Sequence, residues 1–135
     1  MSEDAKLGAK RILVVDDDVK VLSSIEKQLR KESFALELVH DPMEALRRIE
    51  REKYHLVISD VMMKPISGLD VLRRIKAERP LLPVIILTGY VDDRTIDEAR
   101  RIGSADFLLK PVRKRRLIGS IYSALGISSP EGEAQ

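Results

Sequence analysis

The chain has 135 residues, in which 24 Lys and Arg nearly balance 22 Asp and Glu, and it contains no cysteine. This length builds one domain with its own core, while the absence of cysteine excludes disulfides, thiolate metal sites and thiol catalysis. A net charge of +2 gives no electrostatic argument for nucleic-acid or membrane binding. No apolar run could span a bilayer or serve as a signal peptide, so we expect a cytoplasmic protein.

Five short apolar runs alternate with five amphipathic segments along the chain. We predict that residues 1–10 are flexible, that the folded domain spans residues 11–126, and that residues 127–135 form a disordered tail or the stub of a linker. The predicted strands are Ile12–Val15, Phe34–Val39, Leu56–Ser59, Val84–Leu87 and Phe107–Leu109.

Helix signals separate these strands, namely capping residues, a proline at a helix start and a glycine at a helix end. The fourth helix is expected to end at Gly103. The predicted helices begin near Asp18, Asp41, Gly68, Asp92 and Arg113.

Four of the strands are continuous apolar runs without polar alternation, which is typical of a parallel sheet covered on both faces, whereas Phe34–Val39 is mixed and is expected at an edge of the sheet. Five strand–helix units in succession predict an α/β doubly wound sheet. Ligands of such sheets bind beyond the carboxyl ends of the strands. Polar residues at those ends are therefore the candidate site residues.

Four aspartates lie at the ends of two strands. Asp16, Asp17 and Asp18 follow the first strand, and Asp60 ends the third. Capping a helix needs only one Asp, whereas clustered carboxylates are stable beside a hard cation such as Mg²⁺ or Mn²⁺. At this point a capping role and a metal site both stay open.

Two further strands end in residues that suit a phosphate. Lys110 follows the fifth strand. A lone lysine at a strand end is usually solvated, but opposite a carboxylate cluster it could instead bind an anion such as phosphate. Thr88 ends the fourth strand and is followed by Gly89. The pair could simply form the turn from the strand into the next loop. Alternatively, Thr88 could donate its hydroxyl to a phosphoryl group that the small Gly89 leaves room for.

Asp16-Asp17, Asp60, Gly68, Thr88 and Lys110-Pro111 stand in this order, each at a strand end or a helix start. In these features the chain resembles the receiver domain of the response-regulator family of two-component systems, over about residues 11–125. The resemblance implies a flavodoxin-like fold with a five-stranded parallel sheet of order 2-1-3-4-5 and five helices. It also implies a signalling protein that is not an enzyme beyond its own phosphorylation and dephosphorylation.

The resemblance implies a chemical role for Asp60 and a metal ion. Asp60 would accept a phosphoryl group from the phosphohistidine of a sensor histidine kinase or phosphotransfer protein. Mg²⁺, with Mn²⁺ as a substitute, would be bound directly by Asp17 and mainly through water by Asp16. The Asp60 carboxylate and the backbone carbonyl of Met62 would complete the protein ligands.

The resemblance also implies a switch. Lys110 would pair with Asp60 before the reaction and with the phosphoryl oxygens after it. Thr88 would donate its hydroxyl to the phosphoryl group, and Phe107 would turn inward as Thr88 moves. The output would be a changed interaction with a downstream protein or with an output domain beyond this chain.

Some positions depart from the common pattern of the family. Pro65 stands one place later than usual after Asp60, which could alter how a kinase docks. Met62 and Tyr90 stand where the family flanks the phosphoryl group, and neither has a carboxylate or amide to orient a water molecule. We therefore predict slow self-dephosphorylation.

A run of four bases at Arg113–Arg116 opens the fifth helix. The interpretation we favour is a solvated face, although bases at a helix amino terminus are unfavourable. This leaves open an acidic partner or salt bridges between subunits of a homodimer formed through helices four and five. Direct nucleic-acid binding is not expected, because no recognition helix is available.

Two other classes of protein compete with the signalling interpretation. A Mg²⁺-dependent phosphohydrolase with an aspartyl-phosphate intermediate would use Asp16 and Asp18 in an Asp-x-Asp pattern. That alternative leaves Asp60 without a role, and the chain has no insertion long enough for a substrate cap. A flavodoxin-like ligand-binding module would need Gly-rich or Ser/Thr-rich loops, which are missing.

Overall fold

The computed structural model describes residues 9–89 and 92–128. Within these residues the strands are β1 (Arg11–Val15), β2 (Ala35–Val39), β3 (Leu56–Ser59), β4 (Val84–Thr88) and β5 (Asp106–Leu109). The helices are α1 (Val19–Gln28), α2 (Pro42–Arg51), α3 (Gly68–Glu78), α4 (Asp93–Ile102) and α5 (Lys114–Leu125).

The strands form one parallel sheet in the order β2-β1-β3-β4-β5. This confirms the predicted doubly wound fold, its strand order and its five helices. The order reverses direction beside β1, because the chain first adds β2 on one side and then adds β3, β4 and β5 on the other. The carboxyl ends of β1 and β3 therefore lie next to each other, and this is where such sheets bind ligands.

The apolar strands are explained by a core on each face of the sheet. Leu13 and Val15 point to the core formed with α2, α3 and α4, whereas Ile12 and Val14 point to the core formed with α1 and α5. Because both faces are buried, the four residues of β1 from Ile12 to Val15 are all apolar and show no polar alternation.

Local capping fixes where the helices begin. Asp18, Asp41 and Asp92 each accept a hydrogen bond from a backbone N–H in the first turn of the next helix, and Ser67 forms a reciprocal capping box with Asp70. The α4 helix ends as predicted at Gly103, whose φ of 118° favours glycine.

The predicted boundaries differ from the observed ones by one residue at several ends. For example, β5 begins at Asp106 instead of Phe107, because Asp106 already pairs in register with Ile85. The predictions for residues 1–8 and 129–135 lie outside the described residues. No helix within the described ranges is long and apolar enough to cross a membrane.

Candidate functional site

The predicted site residues meet at the carboxyl edge of the sheet. Asp16 and Asp17 follow β1, Asp60 follows β3, Thr88 ends β4 and Lys110 follows β5. Backbone hydrogen bonds continue the sheet pairing just past the strand ends: the Asp60 N–H donates to Val15 at 3.1 Å, and the Lys110 N–H donates to Thr88 at 2.9 Å. The sheet itself therefore positions these side chains.

Three carboxylates converge in this edge. Asp16, Asp17 and Asp60 each offer an oxygen, and these oxygens lie within 4.8 Å of one another. Asp16 is only 2 % exposed and Asp60 6 % exposed, while Asp17 faces solvent and leaves an open approach. A set of carboxylate oxygens with room for water is the donor set that Mg²⁺ prefers. These residues fit a magnesium site.

Asp18 takes a different role from its two neighbours. Its side chain accepts a hydrogen bond from the Lys20 N–H at 2.9 Å and caps α1, and its own N–H donates to Asp16 Oδ1 at 2.9 Å. The capping interpretation is confirmed for Asp18, and the metal-site interpretation of Asp16 and Asp17 stays a prediction. Asp18 caps the helix, and Asp16 and Asp17 are left for the carboxylate cluster.

Lys110 is the cation that lies nearest to the cluster among the described residues. Its Nζ is 2.7 Å from Asp16 Oδ2 and 3.2 Å from Asp60 Oδ2. The expected pairing with Asp60 is present, but Asp16 is the closer partner. This pairing with Asp16 was missed by sequence reasoning, because only the fold shows that β1 and β5 side chains meet across the edge.

Burial and charge act against each other in this pair. Burial raises the pKa of Asp16, with the nearby charge of Asp60 adding to the rise, and the hydrogen bonds from Lys110 and from the Asp18 N–H offset only part of it. Burial alone would lower the pKa of Lys110, but its bonds to Asp16 and Asp60 outweigh burial and raise it. The ammonium of Lys110 is therefore firmly held in the charged state.

Lys110→Met should increase the affinity of the protein for Mg²⁺ by about tenfold, because the ammonium and a divalent cation compete for the same carboxylates. Isothermal titration with Mg²⁺ measures the change. The matched control is Lys20→Met, which removes an exposed cation outside the cluster and should leave the affinity unchanged. An unchanged or weaker affinity in Lys110→Met would contradict the competition.

Gly68 fixes the loop that carries Asp60. A Cβ on Gly68 would lie 1.8 Å from the Asp60 carbonyl oxygen, and the Gly68 N–H donates to the Val61 carbonyl at 2.8 Å. The Val61 N–H in turn donates to Asp60 Oδ1 at 2.7 Å. The first turn of α3 therefore packs directly against the backbone of Asp60, and only glycine leaves the space for it.

Thr88 and Phe107 lie on the same face of the sheet. Thr88 is buried at the end of β4, and Phe107 in β5 pairs in register with Ile86, two residues before Thr88. Phe107 is partly buried against the core that contains Ile86. Since alternate strand residues share a face, the Thr88 side chain points to the same side as Phe107.

Met62 and Tyr90 were predicted to flank the site. Met62 stands in the loop after Asp60 with 59 % of its surface exposed. Its backbone carbonyl, the fourth predicted metal ligand, belongs to the same loop. Tyr90 lies outside the described residues.

Comparisons with known proteins show which family the chain resembles in sequence and fold. The sequence profile of the response regulator receiver domain matches residues 12–122. The transcriptional regulatory protein FixJ of Bradyrhizobium diazoefficiens is 32 % identical over 124 residues. A crystal structure of a CheY-like response regulator receiver domain protein from Methanospirillum hungatei superposes with a TM-score of 0.84 at 30 % identity, covering 93 % of this chain and 98 % of that one.

The chain is similar to only part of each curated relative. The match to FixJ covers 92 % of this chain and 60 % of FixJ. The transcriptional regulatory protein ZraR of Escherichia coli is 34 % identical over 114 residues, which is 84 % of this chain but 26 % of ZraR. The residues matched by the receiver-domain profile, 12–122, include the carboxylate cluster.

Proposed function

The chain belongs to the response regulator receiver domain family, the signalling modules of two-component systems, and we propose that its phosphoacceptor is Asp60. The observation that supports this most is the near-complete burial of the Asp60 carboxylate between two other carboxylates and the Lys110 ammonium. Such a carboxylate is too enclosed to be an ordinary solvated surface group, and the exposed Asp17 leaves an approach to it from the edge of the sheet. The donor would be a phosphohistidine of a sensor kinase or phosphotransfer protein.

The reaction is a transfer of one phosphoryl group. A carboxylate oxygen of Asp60 attacks phosphorus, the N–P bond of phosphohistidine breaks, and the leaving imidazole takes up a proton. The product is an acyl phosphate on Asp60. Because phosphoryl transfer needs little covalent machinery, positioning and charge neutralisation provide the rate enhancement.

The residues that would hold Mg²⁺ are Asp16, Asp17, Asp60 and the backbone carbonyl of Met62. When bound there, Mg²⁺ would supply positive charge that offsets the charge of the phosphoryl group. Lys110 contributes a second positive charge, 3.2 Å from Asp60 Oδ2. Its 2.7 Å bond to Asp16 keeps the ammonium at the site before phosphate arrives.

Phosphorylation would change the output through Thr88 and Phe107. The Thr88 hydroxyl would donate a hydrogen bond to a phosphoryl oxygen. This bond would lower the free energy of one conformation of the β4–α4 region relative to the conformation of the unphosphorylated protein. Phe107 lies on the same face and would follow Thr88 inward. The result is a population shift between two forms, read by a downstream protein or an output domain beyond this chain.

The phosphorylated protein should lose its phosphoryl group slowly, over minutes or longer, because neither Met62 nor Tyr90 can orient an attacking water molecule. Replacing Met62 with Asn supplies an amide beside the phosphoryl group and should speed the loss about tenfold. Following the phosphorylated protein by intact mass over time measures both rates. A wild-type lifetime of seconds, or no change in Met62→Asn, would refute this prediction.

The phosphohydrolase alternative is disfavoured by the hydrogen bonds of its two acids. Asp18 caps α1, and Asp16 is paired with Lys110, so the Asp-x-Asp pair is engaged in other contacts. Acetyl phosphate with Mg²⁺ separates the two functions. A receiver accumulates a stable label on Asp60, while a phosphohydrolase turns over varied phosphoesters.

A further inference from the structure

Lys76 is a partly buried lysine that has no carboxylate partner within the described residues. It lies near the end of α3, and its Nζ donates hydrogen bonds to the backbone carbonyls of Leu82 at 2.8 Å and Pro80 at 3.2 Å. Its methylene chain lies beside the end of α4, where a Cβ built on Gly103 would be 3.9 Å from Lys76 Cε. The amine is thus held by two carbonyl dipoles and not by an ion pair.

The surroundings of Lys76 favour the neutral amine. Burial lowers the pKa of Lys76, because the ammonium loses hydration that two carbonyl dipoles do not fully replace. Lys110 is the contrasting case, since it is also partly buried but is paired with Asp16 and Asp60, and these bonds raise its pKa. The presence or absence of carboxylates therefore drives two partly buried lysines of one chain in opposite directions.

The neutral form of Lys76 fits the same position as the charged form. A neutral amine has two N–H bonds and one lone pair, and its two N–H bonds match the carbonyls of Pro80 and Leu82. With both hydrogens placed there, the lone pair points away from the two carbonyls. The side chain is only partly buried, so a small reagent can approach it. Deprotonation therefore keeps both hydrogen bonds and frees a nucleophile.

We propose that Lys76 is an acylation site of the folded protein, and that its reagent is a small acyl phosphate such as acetyl phosphate. The Nζ lone pair attacks the carbonyl carbon and forms a C–N bond. The bond from that carbon to the phosphate oxygen breaks, inorganic phosphate leaves with the electron pair, and the nitrogen releases one proton to water. The product is an N-acyl lysine. Desolvation is one of the ways in which proteins activate a lysine as a nucleophile.

The charge beside Lys76 favours an anionic acyl donor. Arg79 lies three residues further on, at the end of α3, and its guanidinium donates to the backbone carbonyl of Glu50 at 3.3 Å. Arg79 forms no ion pair within the described residues. The phosphate group of the reagent therefore has a cation to bind close to the amine that attacks the acyl carbon.

Acylation changes how the loop between α3 and β4 is held. It removes the positive charge of Lys76, and the resulting amide keeps one N–H, so either the Pro80 or the Leu82 carbonyl loses its donor. The inference does not rest on phosphorylation of Asp60. Acyl transfer is an attack at carbon and not at phosphorus, and it needs no divalent cation.

The test compares acetylation of the folded and the unfolded chain. The protein is incubated with acetyl phosphate and EDTA, once in buffer and once in denaturing urea, and acetylation of each lysine is followed by peptide mass spectrometry. The ratio of the folded to the unfolded rate removes effects of local sequence. This ratio should be about three or more for Lys76. It should be far below one for Lys110, and close to one for the exposed Lys27.

The pH dependence tests the cause of the enhancement. The acetylation rate of Lys76 should level off at a lower pH in the folded protein than in urea, because burial makes the neutral amine available at lower pH. Lys76→Arg keeps a cation that can donate to the same carbonyls, and it should remove this acetyl group without changing the rate at Lys27.

Three results would overturn the proposal. The first is that Lys76 reacts no faster in the folded protein than in urea. The second is that Lys110 shares its enhancement, because carboxylate pairing would then be irrelevant. The third is that the rate at Lys76 has the same pH dependence in the folded and unfolded chains.

Discussion

Asp60→Asn should reduce labelling by acetyl phosphate and Mg²⁺ by about a thousandfold or more, because it removes the nucleophile of the proposed transfer. The substitution is nearly isosteric, and the Asn oxygen can still accept the hydrogen bond from the Val61 N–H. It also removes one of three clustered carboxylates, so like-charge repulsion in the site decreases. Lost labelling would therefore report on chemistry and not on unfolding. Intact mass spectrometry after incubation with acetyl phosphate measures it.

Asp18→Asn is the matched control for that experiment. Asn caps a helix as well as Asp does, so α1 should be unaffected, and Asp18 contributes no oxygen to the carboxylate cluster. This variant should label like the wild type. If Asp60→Asn still became labelled while Asp16→Asn did not, the phosphohydrolase assignment would replace the receiver assignment.

Gly68→Ala should destabilise the protein by about 3 kcal/mol or more, because its Cβ would overlap the Asp60 carbonyl oxygen, a backbone atom that cannot rotate away. Relief of this overlap requires α3 and the Asp60 loop to separate. The fraction that stays folded should therefore also have a lower affinity for Mg²⁺. Urea unfolding gives the free energy, and titration with Mg²⁺ gives the affinity.

Gly119→Ala provides the matched comparison. Gly119 lies inside α5, and a Cβ there would have no neighbour within 4 Å beyond the adjacent residues and the backbone of its own helix. The same substitution should stabilise the protein by up to about 1 kcal/mol through helix propensity alone. Equal effects of the two substitutions would mean that the contact between α3 and Asp60 is not tight.

The fold could be predicted from the sequence because its signals are local and repeated. Four of the five strands were recognisable as apolar runs of the right length, and the capping residues Asp18, Asp41 and Asp92 mark helix starts by their own chemistry. Predicted strand ends differ from the observed ones by one residue where backbone pairing, and not residue composition, decides the boundary, as at Asp106. The strand order itself came from the family resemblance and not from the pattern.

The candidate site was predictable only in part. The positions of Asp16, Asp17, Asp60, Thr88 and Lys110 at strand ends were enough to bring them to one edge. It was not predictable that Asp18 would cap α1 while Asp16 and Asp17 join the carboxylate cluster. Three adjacent aspartates cannot be told apart until the backbone fixes the directions of their side chains. The bond from Lys110 to Asp16 spans β1 and β5, and no spacing in the sequence encodes such a contact.

The basic run Arg113–Arg116 illustrates a further limit. The sequence favoured a solvated face, because a charge run alone does not show what lies beside it. The structure shows an apolar strip of Phe107 and Leu109 next to those bases. Only the fold, which brings β5 next to the start of α5, shows what lies beside the basic run.

The most direct test of the account is to locate the phosphoryl group on the protein. The chain is incubated with acetyl phosphate and Mg²⁺, the acyl phosphate is trapped by borohydride reduction, and the modified residue is identified by peptide mass spectrometry. We predict a single modification, on Asp60, that requires the divalent cation. A modification on Asp16, or steady hydrolysis of acetyl phosphate with no modified residue, would contradict the assignment of Asp60 as the phosphoacceptor.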